Sequence, residues 1–210
     1  MDSEKIEILL SNIFSMQKNP KILHLGCGRN KLPKTIGIDI RDFPEVDVRV
    51  DLNSDMPFGE NSVDGIVSNH VLEHLDYSHI MNESLRILKT GGISIMIVPH
   101  YTNHRAHMGE HKIQGFSWIA FEHFADKNHP FYGFEIMKNE ILFGNKLNFI
   151  GKLINSNKKI TYIYERFFSG IFPAVELAVI MKKKFNAEIK LEKCSPKNNM
   201  TISKQKSVIK

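Results

Sequence analysis

The sequence predicts an α/β fold in which a mostly parallel sheet is wound on both faces, and three observations carry that prediction. Short apolar runs, many of them β-branched, recur at residues 21–25, 35–39, 47–51, 63–68 and 93–98, each of strand length. Helical or coil connections alternate with them, and the clearest, at residues 78–88, repeats Ile80, Met81, Ser84, Leu85, Ile87 and Leu88 near helical spacing. A glycine turn, Gly26-Cys27-Gly28, closes the first run, and a carboxylate, Asp39, closes the second. Strands alternating with crossovers make a doubly wound parallel sheet.

In chain order, residues 6–16 carry Ile6, Ile8, Leu9, Leu10, Ile13 and Phe14 near helical spacing and lead through Asn19-Pro20 into the first strand. The helix at 78–88 is expected to end in a Gly91-Gly92 cap turn before the fifth strand. From Pro99 to Gly133 the pattern changes to a stretch rich in histidine and aromatics, where Trp118, Phe121, Phe124, Phe131 and Tyr132 read as packing residues. Strands at 134–142 and 174–181, with a helix or helical turn at 160–168, complete the reading. The organisation that follows is an N-terminal helix at 1–20, a main domain at 21–183 with a lid or substrate insertion at about 99–133, and a basic, flexible tail at 184–210.

The corner made by Leu23-His24-Leu25-Gly26-Cys27-Gly28 and Ile38-Asp39 suits a nucleoside at the edge of an open sheet. Glycine admits a ligand to backbone that any Cβ would push away, and Asp39 can accept from both hydroxyls of a ribose. A dinucleotide site wants a third glycine and an acid about 20 residues further on. Here Lys31 stands at the third glycine position and Asp39 arrives early. Pro33 and the short connection from Arg29 to Thr35 leave room for little more than a turn, whereas a pyrophosphate needs a helix N-terminus. The ligand is read as a nucleoside without pyrophosphate, with an NAD- or nucleotide-binding protein as the weaker alternative.

Leu25-Gly26-Cys27-Gly28 with Asp39 resembles motif I and the ribose acid of the class I S-adenosylmethionine-dependent methyltransferases, in their small type-11-like form. The resemblance continues in order through Val50-Asp51-Leu52-Asn53, Met56-Pro57-Phe58 with Asn61-Ser62-Val63-Asp64, Asn69-His70-Val71-Leu72-Glu73-His74-Leu75, and Glu83-Ser84-Leu85-Arg86-Ile87-Leu88-Lys89-Thr90-Gly91-Gly92. It covers residues 21–99, and the ordered set is far more specific than a lone glycine motif. It implies a Rossmann-like, seven-stranded sheet with an antiparallel closing strand, and S-adenosyl-L-methionine as cofactor.

The resemblance also implies roles. Gly26, Cys27 and Gly28 would meet the methionine moiety, Asp39 the ribose, Asp51 and the Leu52 amide the adenine edge, and Ile40 with Leu52 its faces. Asn69, His70 and Val71 would lie beside the sulfonium. The family's usual acid two positions before the first glycine is replaced by His24, which as a neutral imidazole could accept one hydrogen bond from the cofactor's ammonium.

Methyl transfer to a hydroxyl needs alignment, exclusion of water and a base. The lid segment Pro99-His100-Tyr101 through His111 follows the fifth strand and resembles a stretch in a subgroup of small methyltransferases that modify glycans or lipid-linked sugars. It nominates His111 and His100 as bases and a small-molecule or sugar acceptor, with a non-catalytic cofactor-binding protein as the runner-up. His100, His104, His107 and His111 with Glu110 could suit zinc only if a helix aligned the last three histidines; no metal is assigned.

The net charge of +5 is concentrated at one end. Residues 182–210 hold nine lysines against two glutamates, a local +7, which leaves −2 for the rest of the chain. The tail is read as solvated, or as a contact for an anionic partner. No Asp-Pro-Pro-Tyr or Asn-Pro-Pro-Tyr clamp for a base amine follows the fourth strand, and no Pro-Cys nucleophile is present, which argues against a nucleic-acid substrate. Two cysteines, no signal-like N-terminus and no apolar run long enough for a bilayer point to a cytoplasmic protein.

Overall fold

A computed structural model describes residues 3–144 and 147–185. Helix α1 (Ser3–Ile13) precedes strands β1 (Ile22–Leu25), β2 (Ile36–Asp39), β3 (Val48–Arg49) and β4 (Val63–Asn69). Helix α2 (Tyr77–Ile87) runs into β5 (Leu88–Pro99), and the short α3 (Trp118–Glu122), β6 (Phe134–Leu142), α4 (Asn148–Ile154), α5 (Lys158–Ile163) and β7 (Glu176–Lys183) follow. All strands join one seven-stranded sheet in the order β3-β2-β1-β4-β5-β7-β6. β1 to β5 are parallel and β7 is antiparallel to both of its neighbours. The expected mostly parallel sheet with an antiparallel closing strand is therefore what forms.

Alternation along the strands explains both covered faces. Leu23, Leu25, Ile66, Met96, Val98, Leu177 and Val179 point into the main core, where α2 contributes Ile80, Met81 and Leu85. The intervening Ile22, Val67, Ile95 and Ile97 point the other way, beneath Ile6, Leu10 and Phe14 of α1. Phe116, Trp118, Phe121, Phe124 and Phe131 from the segment after β5 are buried in the main core, as the packing reading expected. Each such side chain removed from water stabilises the fold by roughly 1.5–3 kcal/mol.

Two expectations are corrected. The chain leaves α2 at Ile87, and Gly91-Gly92 lies inside the run Leu88–Pro99 instead of capping the helix. The exposed carbonyls at the end of α2 are met from β7, where buried Lys183 donates Nζ to Leu85 O (2.6 Å) and Leu88 O (2.8 Å). A cation at a helix C-terminus also complements its dipole. β3, Val48–Arg49, is shorter than the apolar run predicted: Asp47, just before it, donates its N–H to Gly37 O (2.9 Å) and turns its carboxylate onto Gly37 N–H (2.7 Å) and Lys31 Nζ (3.0 Å).

The order of the strands reverses its progression between the parallel neighbours β1 and β4: the chain moves from β1 outward through β2 and β3, then returns to β4 on β1's other side. The carboxyl ends flanking such a switch form the crevice where open α/β sheets bind ligands. No described helix is long and apolar enough to cross a membrane. The tail expected at 184–210 lies, from residue 186 onward, outside the described residues.

Candidate active site

At the carboxyl end of β1 the chain turns with φ of 61° at Gly26 and 52° at Gly28, a left-handed region that L side chains avoid. A Cβ on Gly26 would also overlap Val71, which packs over the turn, while the space where a Cβ of Gly28 would stand holds no protein atom within 4 Å. Cys27 is buried and burial pushes its thiol pKa up, so it serves as a small apolar side chain. Asp39 ties the next strand to this turn: its Oδ2 accepts from Gly28 N–H (2.9 Å) and its Oδ1 from Arg41 N–H (2.9 Å). Each carboxylate oxygen keeps a second lone pair. At the end of β4, Asn69 Oδ1 is buried without a hydrogen-bond partner among the described residues.

The neighbouring pocket, about 590 Å³, is lined by His70, Glu73, His74, Asn103, His111 and Glu176, among others. His70 holds φ at 55°, a strained conformation for a residue with a side chain. Its ring spans two carboxylates, with Nδ1 3.3 Å from Glu73 Oε1 and Nε2 2.9 Å from Glu176 Oε1. Burial disfavours its charge, but the two carboxylates outweigh burial and lift its pKa to about 9. His111 donates Nδ1–H to Ala106 O (3.0 Å), which leaves Nε2 as the nitrogen with a free lone pair. A larger depression, about 890 Å³, runs along α1 past Ile22 and Pro33. It lies at the amino end of β1, away from the strand ends where chemistry is expected.

Comparison with known proteins agrees with this geometry. Residues 23–96 match the profile of a family described as a methyltransferase domain. Over those residues the chain is similar to a methyltransferase domain. A curated relative from Mycolicibacterium smegmatis, described as a probable S-adenosylmethionine-dependent methyltransferase, is 28% identical over 97 residues, covering 38% of this chain and 38% of that protein. The chain thus matches well under half of that relative's length. An S-adenosylmethionine-dependent methyltransferase from Archaeoglobus fulgidus shares the fold with a TM-score of 0.59 at 19% identity, over 87% of this chain and 95% of that one. A [4+2]-cyclase, SpnF, also shares it, with a TM-score of 0.55 at 16% identity over 86% of this chain and 80% of that one. The family match ends within β5, so the segment after that strand lies beyond it.

The residues expected to hold the cofactor do not all behave alike. Ile40 is exposed just past β2, as a residue facing a ligand should be, whereas Leu52 is buried in the main core. That side chain is therefore unavailable as a second face for the adenine, and only its backbone remains for the purpose. Asp51 closes a turn, its Oδ1 accepting from Asn53 N–H and Nδ2 (both 2.9 Å). His24 is buried, and its Nδ1 accepts from Leu32 N–H (3.1 Å). The expected bond from the cofactor's ammonium is thereby corrected: the lone pair is in use, and the other ring nitrogen of a neutral imidazole is a donor. Burial is also what lowers the His24 pKa to about 4, against the attraction of Asp39.

His100, nominated as a base, is likewise corrected. It is fully buried, Nδ1 accepts from Thr102 N–H (3.2 Å), and Nε2 donates to Glu165 Oε2 (3.0 Å). Glu165 accepts from Trp118 N–H as well (2.9 Å), so His100 is a brace between β5, the lid and the helical turn at Tyr164–Phe168. Nor do the lid histidines converge. His104–His107 is a single 3₁₀ turn that stops short of His111, and His107 bonds Tyr101 O (2.9 Å).

Sequence reasoning missed Glu165, Glu176 and the role of Glu73. Glu73 stood inside a quoted motif; Glu176 and Glu165 carry no local signal. It also left the Glu83–Arg86 pair without a role. Glu83 accepts from Met56 N–H (2.8 Å) and from Arg86 Nε (2.6 Å), while Arg86 Nη1 donates to Phe58 O (2.8 Å). The pair anchors the loop that follows Asp51 onto α2.

Proposed function

We propose that this protein transfers a methyl group from S-adenosylmethionine to a hydroxyl of a small-molecule or sugar acceptor held in the pocket between β4, β7 and the lid. The observation that carries the reading is the adjacency of a glycine turn bonded to Asp39 and a pocket containing the free Nε2 of His111. The residues suit the cofactor: Gly28 faces space without protein atoms, Asp39 keeps acceptor capacity for a ribose, and the buried Asn69 Oδ1 lacks a donor that an ammonium would supply. When bound, the cofactor supplies a methyl on a sulfonium, whose S–C electron pair stays on sulfur as the O–C bond forms. The acceptor's proton must leave in that step, and His111 Nε2 is positioned to take it. The lid, braced through His100 and Glu165, excludes water and orients the acceptor.

The buried free thiol of Cys27 supports a reducing, cytoplasmic setting. The basic residues at 182–210 give the chain a means of electrostatic contact with an anionic partner.

Thermal-shift measurements with S-adenosylmethionine, S-adenosylhomocysteine, NAD and ATP test the cofactor, and label transfer from methyl-labelled cofactor to fractions of hydroxylated metabolites tests the reaction. A shift by the two sulfur compounds and label in a sugar or small-molecule fraction are expected. A shift by NAD alone sinks the reading. The fold shared with a cyclase favours a second reading in which the cofactor is bound and no methyl is transferred; that reading expects the same shifts without label.

A further inference from the structure

We propose that Glu73, His74 and His111 bind one divalent transition-metal ion of the zinc class, with its open position toward the acceptor pocket. One ligand atom from each of the three residues lies within 4.8 Å of the others. The set joins neighbours in the Leu72–His74 turn after β4 to a residue on the far lid, and backbone bonds hold the two segments together. Lys112 N–H (2.8 Å) and Ile113 N–H (3.1 Å) both donate to Glu73 O. The rings of His74 and His111 meet edge to face with centroids 4.6 Å apart.

An independent observation points to a cation. Glu73 is 1% exposed, and its Oε2 has no hydrogen-bond partner among the described residues, while Oε1 pairs with His70. A buried carboxylate oxygen left unsatisfied is costly, and a metal ion beside it removes that cost. His111 is prepared in the way metal-ligating histidines are: Nδ1–H is spent on Ala106 O, which fixes the tautomer and aims Nε2 as a ligand. Two imidazoles and one carboxylate suit zinc and its first-row neighbours, whereas magnesium and calcium prefer all-oxygen sites. Three protein ligands leave a coordination position for water or substrate, as in catalytic zinc sites. His70, Asn103 and Glu176 line the same pocket, so a ligand at that position would be an acceptor's oxygen. This placement rests on the methyl-transfer reading, in which His111 Nε2 acts as a base in the metal-free protein alone, since a lone pair given to the ion cannot also take a proton; the binding of the ion does not rest on that reading.

The test uses the chelator-treated full chain titrated with zinc in competition with a chromogenic chelator. One equivalent should bind, and Glu73→Gln, His74→Ala and His111→Ala should each weaken it about tenfold or more, while His104→Ala, from the same lid, leaves it unchanged. The thermal shift with S-adenosylhomocysteine, retained in all four, shows that fold and cofactor site are intact. Zinc X-ray absorption on the unaltered chain reads the donors without any variant. Two imidazoles plus oxygen donors support the site. An all-oxygen shell, no stoichiometric ion, or equal binding by the three variants overturns it. Zinc binding without any shift by S-adenosylhomocysteine would support the metal site and remove the methyl-transfer reading instead.

Discussion

The glycine corner proposed for the cofactor and the pocket proposed for the acceptor lie at the same end of the sheet, yet they are assembled differently. In the corner, Gly26, Gly28 and Asp39 come from two adjacent strand ends and are joined through backbone amides. In the pocket, His70, just past β4, meets Glu176 of β7 through side-chain atoms, and His111 from the segment after β5 lines the same space. A backbone-built site demands particular residues at particular local spacings. A side-chain site can draw on any part of the chain that the fold brings near. One leaves a motif, and the other leaves isolated residues.

That contrast can be broken from either side. The largest effect is expected for Asp39→Ala, which removes two backbone bonds and the ribose acceptor together. S-adenosylhomocysteine binding should fall by roughly a thousandfold in calorimetry, at about 1.5–3 kcal/mol for each charge-assisted bond. Binding within tenfold of the parent would mean that the corner does not hold the cofactor. Removing the anchor beneath the corner should cost nearly as much. Arg86→Ala leaves Glu83 buried without its cation, with Met56 N–H still donating to it, at roughly 3–5 kcal/mol in urea unfolding. A loss under about 1 kcal/mol would show that the Met56–Phe58 loop holds without it.

Gly26→Ala combines a left-handed φ with overlap onto Val71 and should destabilise by roughly 3 kcal/mol, with cofactor affinity falling too. On the pocket side, His111→Ala should keep the cofactor's thermal shift and lose at least about a hundredfold in kcat. Retained turnover would take His111 out of the mechanism. A loss of the shift as well would mean that the two regions are not separable.

The smallest effect concerns His24, which sequence alone placed in the cofactor site and the structure places in the fold. Its folded pKa of about 4 lies below the model-peptide value of 6.5. The unfolded chain therefore binds the proton more readily between those values, and stability is present above pH 6.5 and lost as pH falls toward 4. About 2 kcal/mol should vanish between about pH 7.5 and pH 5. His24→Gln, which still accepts a hydrogen bond without titrating, should flatten that part of the profile. An unchanged profile would remove His24 from the acid sensitivity.

Legibility followed the same division. Strand positions and the glycine corner could be read because apolar alternation and left-handed turns constrain residue type within a few positions. The end of α2 could not, because Gly91-Gly92 looked like a cap and the carbonyls are satisfied by Lys183, nearly a hundred residues later. His100 and His24 fit ligand roles by position, but their nitrogens were already bonded, to Glu165 and Thr102 in one case and Leu32 in the other. Which lone pair a histidine has left depends on neighbours that spacing does not reveal.

By itself the sequence determined the fold class and the glycine turn joined to Asp39, both consequences of local backbone chemistry. Only the tertiary structure decided that Glu73, His74 and His111 converge, that Glu165 braces the lid, and that His70 is held between two carboxylates. Those are contacts between segments as far apart as β4 and β7, and the parallel sheet, with its crossovers and one reversed strand, is what carries such distant residues to a common edge.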